Sequence, residues 1–291
     1  MPVALITGCS SGFGMLIAAR LARAGHTVYA TMRNLDRDQV LREATNAVAT
    51  NIIIEKLDVT DQASIKRVVK KIASETGQLD IVINNAGYGL GGFFEDLDHD
   101  EIRAVFETNF FGAQEVTRQS LPMLRQAAQN GGQPQIINIS SIQGRWAVPG
   151  LGAYTASKFA LEGFSEALYH ELAPLGVRVV VVEPGSYSTE IFTTNKQIGR
   201  RALSDTSPYY PYIQAMLRRI DRMVKSPEQI GDPEEVARLV ERIINTPHPK
   251  FRYMIGKSTR KRRILFALLP FTRAATILRR AAFGRRLTQK K

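Results

Sequence analysis

The stretch VALITGCSSGFGMLIAARLA, residues 3–22, runs from an apolar strand pattern through three glycines into an apolar helix pattern. Gly8, Gly12 and Gly14 follow G-x-x-x-G-x-G spacing. Glycine permits a tight strand-to-helix turn and lets the backbone approach a pyrophosphate closely. The free N–H groups at a helix start then favour the anion. The spacing is a variant of the usual dinucleotide fingerprint, and its place directly after the first strand of an alternating chain gives it weight. Ser10 and Ser11 in the same loop offer hydroxyl donors. The competing reading is a tight turn with no ligand.

Working outward, short β-rich runs alternate with longer helical patterns. Strands are expected at 3–7, 27–31, 52–57, 79–84, 135–140, 177–183 and 251–255, with helices over 12–24, 36–46, 61–75, 99–129, 153–173 and 232–245. Several strands, VRVVVVE among them, are apolar on nearly every residue, as expected when both faces are covered. The alternation predicts an α/β fold, a single-domain, Rossmann-type doubly wound parallel sheet over 1–256. The least regular part, 186–231, reads as a long loop that serves as a lid or specificity segment. Residues 257–291 read as a basic C-terminal helical extension.

Composition is that of an ordinary globular chain. The single cysteine, Cys9, excludes an intrachain disulfide and fits a reducing, cytoplasmic setting. The N-terminus lacks a basic segment and a long apolar run, so no signal peptide is expected. No stretch reaches the ~18 apolar residues of a membrane span. Charge is unevenly placed. Residues 250–291 hold fourteen Lys or Arg and no Asp or Glu. The whole chain is +12, which leaves −2 for residues 1–249. The body is nearly neutral, so a nucleic-acid-binding protein is not expected, and the tail needs its own explanation.

The second strand ends in YATMRN, with Arg33 and no carboxylate before Asp36. NAD sites commonly place an acidic residue here to bind the ribose diol, whereas an arginine suits a 2′-phosphate. The expected cofactor is NADP, with NAD the lesser candidate. Tyr154 and Lys158 stand four apart in AYTASKFALEGF, so a helix presents both on one face. A cation beside a phenol favours the phenolate and lowers its pKa. Alone, that pair is also ordinary helix surface.

Together, TGCSSGFG, NNAG (84–87), Ser141, YTASK (154–158) and PGSYST (184–189) resemble the short-chain dehydrogenase/reductase family, and the likeness spans roughly residues 2–255. The motifs are closest to its branch of 17β-hydroxysteroid and retinol dehydrogenases. The resemblance implies a catalytic set of Asn109, Ser141, Tyr154 and Lys158. Tyr154 would be the acid–base group, Lys158 would lower its pKa and bind the nicotinamide ribose, and Ser141 would hold the reacting oxygen. Asn109 would help hold a relay water. It further implies cofactor contacts from Asp58, Val59, Asn85, Ala86 and Gly87 near the adenosine. Pro184, Gly185 and Thr189 would lie beside the nicotinamide. Phe13, where the family has a small aliphatic, and Tyr187 are departures. No metal is expected, since the four histidines have no ligand spacing.

The function expected is ketone or aldehyde reduction, or the reverse, on a small hydrophobic substrate. That last expectation rests on Phe192, Tyr209, Tyr210 and Tyr212. The alternatives are a β-ketoacyl reductase for carrier- or CoA-bound groups and a nucleotide sensor without turnover. A homodimer or homotetramer is implied by resemblance. The tail has two readings: a helix roofing the pocket, which is favoured, or a basic segment touching a membrane or an acidic carrier protein.

Overall fold

The computed structural model describes residues 1–45, 51–189, 197–226, 228, 230–257, 259 and 268–283. Nine strands occur among them: β1 (Val3–Ile6), β2 (Thr27–Met32), β3 (Ile52–Lys56), β4 (Ile81–Asn84), β5 (Leu90–Gly91), β6 (Gln135–Ile139), β7 (Arg178–Pro184), β8 (Gln197–Ile198) and β9 (Arg252–Ile255). Seven form one parallel sheet in the order β3-β2-β1-β4-β6-β7-β9, and β5 pairs with β8 separately. Nine helices pack around them: α1 (Gly12–Arg23), α2 (Gln39–Thr45), α3 (Gln62–Thr76), α4 (His99–Phe106), α5 (Gly112–Gln129), α6 (Gly152–Leu172), α7 (Tyr210–Val224), α8 (Glu234–Ile244) and α9 (Phe271–Phe283).

Side chains on a strand alternate between faces, so β1 feeds two cores. Ala4 and Ile6 join a cluster with Ile17 and Leu21 of α1 and Val236 and Val240 of α8. Val3 and Leu5 join a second with Ile65 and Val68 of α3, Val116 and Leu124 of α5 and Leu168 of α6. Full burial of one such aliphatic side chain contributes about 1.5–3 kcal/mol. The sheet is therefore covered on both faces, which is why strands such as β1 and β7 are apolar along most of their length. The chain winds outward from β1 to β3, then returns to β4 and winds the other way. The crevice past the carboxyl ends of β1 and β4 is the switch point, where ligands bind in open α/β sheets.

Local signals fix several ends. Asp61 caps α3 by accepting from Ala63 N at 2.9 Å, and Gly77 closes that helix in the left-handed region at φ 64°. A capping box, in which Asp98 N donates to Glu101 Oε2 at 2.8 Å, starts α4.

Three expectations change. The helix expected over 99–129 carries a π-helical segment at Glu107–Phe111, between α4 and α5. The helix expected over 36–46 is a 3₁₀ turn at Leu35–Arg37 followed by α2, and residues 46–50 lie outside the described residues. The irregular stretch 186–231 contains β8 and the 15-residue α7. Its apolar positions Ile213, Leu217, Ile220 and Val224 do follow helical spacing. Pro211 and three tyrosines obscured the pattern, yet proline is tolerated in a first turn.

Candidate active site

The glycine loop is built by close approach. Gly8 sits at φ 73°, and a Cβ there would lie 2.8 Å from Ala86 Cα. A Cβ on Gly14 would strike the Gly8 carbonyl oxygen and the Asn85 side chain. The β1 and β4 loops are stitched together across the switch point. Asn85 Nδ2 donates to Thr7 O at 2.9 Å and to Gly8 O at 3.0 Å. Thr7 Oγ1 accepts from Asn85 N and Ala86 N, both at 3.0 Å. Asn85 thus acts as a brace for the loop. Ser10, Ser11 and Phe13 are half-buried there, and Ser11 stands extended at the N-cap of α1. The first turn of α1 holds no acidic residue, so its own N–H dipole field is unopposed within that turn. The cradle, with glycines at the close approaches and hydroxyls at Ser10 and Ser11, fits the pyrophosphate of a dinucleotide.

Other expected cofactor residues ring this crevice. Arg33 is exposed just past β2, and its charge reaches the Tyr88 phenol, opposing the upward push of burial there. Asp58 follows β3 and accepts from Thr60 N at 2.9 Å and Thr60 Oγ1 at 2.8 Å. Val59 packs against Gly112, where a Cβ would lie 2.8 Å from Val59 Cβ. Pro184 ends β7, and Gly185 N donates to Ile255 O at 2.8 Å. Thr189 reaches back over the glycine loop, 3.6 Å from where a Gly12 Cβ would stand. The two departures meet: the rings of Phe13 and Tyr187 pack edge to face at 5.5 Å. Tyr187 is buried, and its hydroxyl donates to Glu235 at 3.2 Å. Phe192 lies outside the described residues.

The four expected catalytic residues converge at the other end of the crevice. All four are buried. Ser141 follows β6 and caps the 3₁₀ turn Ile142–Gly144, its Oγ accepting from Gln143 N at 3.1 Å. Burial pushes the Tyr154 pKa up, and the Ser141 side chain beside the phenol offsets part of the rise. The expectation of a lowered phenol pKa is therefore not met in this arrangement. The cation stands at some distance, with Lys158 Nζ 6.0 Å from the Tyr154 ring centre. Nζ donates to Ile139 O at 2.9 Å. Burial brings the Lys158 pKa down to about 8, with the Glu162 carboxylate pulling the other way.

Asn109 lies within the π segment. Its Oδ1 accepts from Tyr88 N, and its Nδ2 donates to Tyr88 O and Ser157 Oγ, each at 3.0 Å. It ties α4–α5 to the β4 loop and to α6. A Cβ on Gly87 would lie 2.9 Å from Asn109 Oδ1 and 3.7 Å from Lys158 Nζ, so glycine keeps this space open.

Some supporting residues escaped the sequence reading. Ser157 bridges Asn109 and the Tyr154 carbonyl, to which its Oγ donates at 2.7 Å. A second group lies one turn past Lys158. Arg252 of β9 donates to Glu162 Oε2 at 3.1 Å and stands 3.6 Å from Glu183 Oε1, while Arg145 approaches Glu183 at 3.6 Å. The two carboxylates are almost wholly buried, and removing one partner of such a set is costly, about 3–5 kcal/mol. The network clamps the Ser141 turn, α6, β7 and β9 together. The only sequence signal was an acidic residue four after Lys158 on the same helix face.

Beyond this crevice lies an aromatic cluster. Phe93 stacks on Tyr209 at 4.7 Å and meets Tyr212 of α7 at 6.3 Å. Phe283, at the end of α9, closes on Phe93 at 6.0 Å and on Tyr212 at 5.2 Å. Gly92 beside Phe93 bridges to Leu151, three residues before Tyr154.

The family model described as short chain dehydrogenase matches residues 2–198. The chain is similar, at 40% identity over 285 residues, to the uncharacterised oxidoreductase YusZ of Bacillus subtilis strain 168, covering 97% of this chain and 99% of that one. It is 36% identical over 254 residues to a 3-ketodihydrosphingosine reductase of Bacteroides thetaiotaomicron, covering 87% of each. It is 31% identical over 262 residues to retinol dehydrogenase 8 of Bos taurus, covering 85% and 79%. Among solved structures, a short-chain dehydrogenase from Streptomyces avermitilis superposes with TM-score 0.76 at 31% identity, covering 97% and 98%.

Proposed function

The chain belongs to the short-chain dehydrogenase family, and from that premise we propose that it is an NADP(H)-dependent oxidoreductase interconverting a ketone or aldehyde with an alcohol. The observation that carries this reading is the buried constellation of Ser141, Tyr154 and Lys158, with Lys158 Nζ 6.0 Å from the tyrosine ring. The glycine loop with Ser10, Ser11, Gly12 and Gly14 would hold the pyrophosphate. Arg33 would meet a 2′-phosphate, Asp58, Val59 and Ala86 would flank the adenosine, and Gly185 and Thr189 the nicotinamide. When bound, the nicotinamide gives or takes the hydride.

The residues do the rest. A phenol whose pKa is raised by burial stays protonated at neutral pH, ready to donate to a carbonyl oxygen as charge develops on it. Ser141 would donate to the same oxygen and fix its position. With a pKa of about 8, Lys158 carries its proton at neutral pH and stabilises the phenolate left behind. Asn109 holds the Tyr88 backbone and Ser157, and so the spacing between the β4 loop and α6. The aromatic cluster supports a hydrophobic substrate. The 3-ketodihydrosphingosine and retinol named for two relatives are carbonyl or alcohol compounds of that kind. A homodimer or homotetramer through α5 and α6 is supported by Phe111 and Phe159, both 45% exposed on this single chain. The single buried Cys9 supports a cytoplasmic setting.

NADPH oxidation measured against a panel of free ketones, carrier-linked β-ketoacyl groups and no substrate tests the reading. Turnover of long-chain free ketones is expected. Turnover only with carrier-linked groups would give the β-ketoacyl reductase alternative, and NADPH binding without turnover would give a sensor.

A further inference from the structure

Helix α9 has two unlike ends. Its C-terminal Phe283 is seated on Phe93 and Tyr212. Ala274, one turn in from the other end, is buried. Phe271 shares a face with Ala274 and Leu278 by helical spacing. Yet it stands past the edge of the body, 84% exposed, and Leu268 just before it is 78% exposed. Ile277 adds a third exposed apolar side chain at 44%. Phe271 at the helix start and Leu268 just before it are each more than three-quarters exposed, and no described residue covers them.

The charge around this tip identifies what covers it. Arg273, Arg279 and Arg280 are exposed on the same helix, and neighbouring α7 exposes Arg218, Arg222 and Lys225. Residues 257–291 hold twelve Lys or Arg and no acid, against −2 for residues 1–249. A basic helix with a bare apolar tip matches an anionic lipid surface, where the apolar groups enter the acyl boundary and the arginines meet headgroup phosphates. Among the described residues no helix is long and apolar enough to cross a membrane, so the contact is with one leaflet.

We propose that α9 and the residues just before it form an interfacial anchor, with Leu268 and Phe271 inserted into an anionic bilayer. The same helix ends with Phe283 on the aromatic cluster beyond the crevice, and so would lead a substrate taken from lipid toward the site. That second clause, a substrate taken from lipid, rests on the oxidoreductase reading; the anchoring does not.

The test is sedimentation of the full chain with vesicles of phosphatidylcholine, with and without phosphatidylglycerol. Binding only to the anionic vesicles is expected, and it should weaken as salt screens the arginines. Leu268→Glu/Phe271→Glu should reduce vesicle binding by about tenfold or more, since it both removes apolar contact and adds charge that the interface rejects. Both positions are solvent-facing, so the variant should keep its melting temperature and its NADPH affinity. Equal vesicle binding by wild type and variant would overturn the proposal, as would no binding to either vesicle. Loss of a dimer, in the variant alone, by light scattering would assign the tip to a second copy of the chain instead. Capture of an acidic carrier protein, with vesicles ignored, would assign it to that partner. Binding is read without turnover, so an inactive enzyme that still binds vesicles leaves the anchor standing and removes only the function.

Discussion

The crevice floor and its aromatic cover are built on opposite plans. The floor, made by the loops after β1, β4 and β6 and by α6, is held by backbone approaches that a single methyl group would block and by buried polar bonds with defined partners. The cover, made by Phe93, α7 and α9, is held by ring contacts between 4.7 and 6.3 Å and by half-exposed side chains. A hydrogen-bonded frame tolerates almost no displacement, whereas stacked rings slide and repack at small cost. Under the proposed function the difference would separate chemistry from choice, the floor setting how a substrate reacts and the cover setting which substrate arrives.

Changes to the floor should therefore be sharp, and changes to the cover graded. The largest effect is expected from Tyr154→Phe, which removes one hydroxyl and leaves the packing. NADPH should still bind, while turnover falls by about 10²–10⁴-fold. Steady-state and binding measurements together check this, and a variant within about threefold of wild type would remove Tyr154 from the mechanism.

Next comes Arg33→Ala at the exposed rim of the floor. A charge-assisted hydrogen bond contributes about 1.5–3 kcal/mol. The Michaelis constant for NADPH should rise about tenfold or more, with that for NADH nearly unchanged. Equal efficiency of the wild type with both cofactors would end the argument for a 2′-phosphate site.

On the cover, Phe283→Ala should act on the substrate term alone. Loss of two ring contacts at about 0.5–1.5 kcal/mol each predicts a several-fold rise in the Michaelis constant for a long-chain ketone. Turnover and the constant for a small ketone should hold. A comparable fall in turnover would show that the cover shares in positioning the reacting groups, and the contrast drawn above would fail.

The smallest effect is a shift of pH profile. The Lys158 pKa is depressed to about 8, so its ammonium is intact at neutral pH and lost as pH rises through that value. The pH profile of kcat/KM should fall on the alkaline side near there. The Glu162 carboxylate holds the ammonium up, so Glu162→Gln should move that limb to lower pH. The other groups that face this pair are Tyr154 and Glu166 on α6, Glu183 on β7, Arg145 after the Ser141 turn and Arg252 on β9. An unmoved limb, with the protein folded, would limit Glu162 to a structural part.

The same division explains what could be read in advance. The seven main strands are legible because short β-rich runs alternate with helical patterns, and several, such as Arg178–Pro184, carry apolar residues on both faces, as a covered parallel strand needs. The glycine loop is legible because steric necessity leaves a residue-type signature: no side chain fits at Gly8 or Gly14. The Arg252–Glu162–Glu183 clamp is not, because its members come from three elements and meet only after folding. Nor was α7, whose helical spacing was masked by residues usually taken as turn signals. The direction of the Tyr154 shift also lay outside the sequence, since it depends on burial outweighing the Ser141 side chain, and burial arises only after folding.

The π-helical turn at Glu107–Phe111 has a consequence for how this helical rod can vary. A wide turn changes the angular phase of everything after it, so α4 and α5 are indexed separately. Val105 of α4 belongs with Leu90, Leu97 and Ala153 beside the catalytic end, while Val116 and Leu124 of α5 belong with the core under α3. Deleting one residue within 107–111 would let the rod close as a regular α-helix with both halves still facing their own cores, because the wide turn has already absorbed the extra residue. What would vanish is the widened turn itself, and with it the place from which Asn109 reaches Tyr88 and Ser157. The chain can spare a residue here for packing but not for the site, so the surplus length is a specification of position rather than of fold.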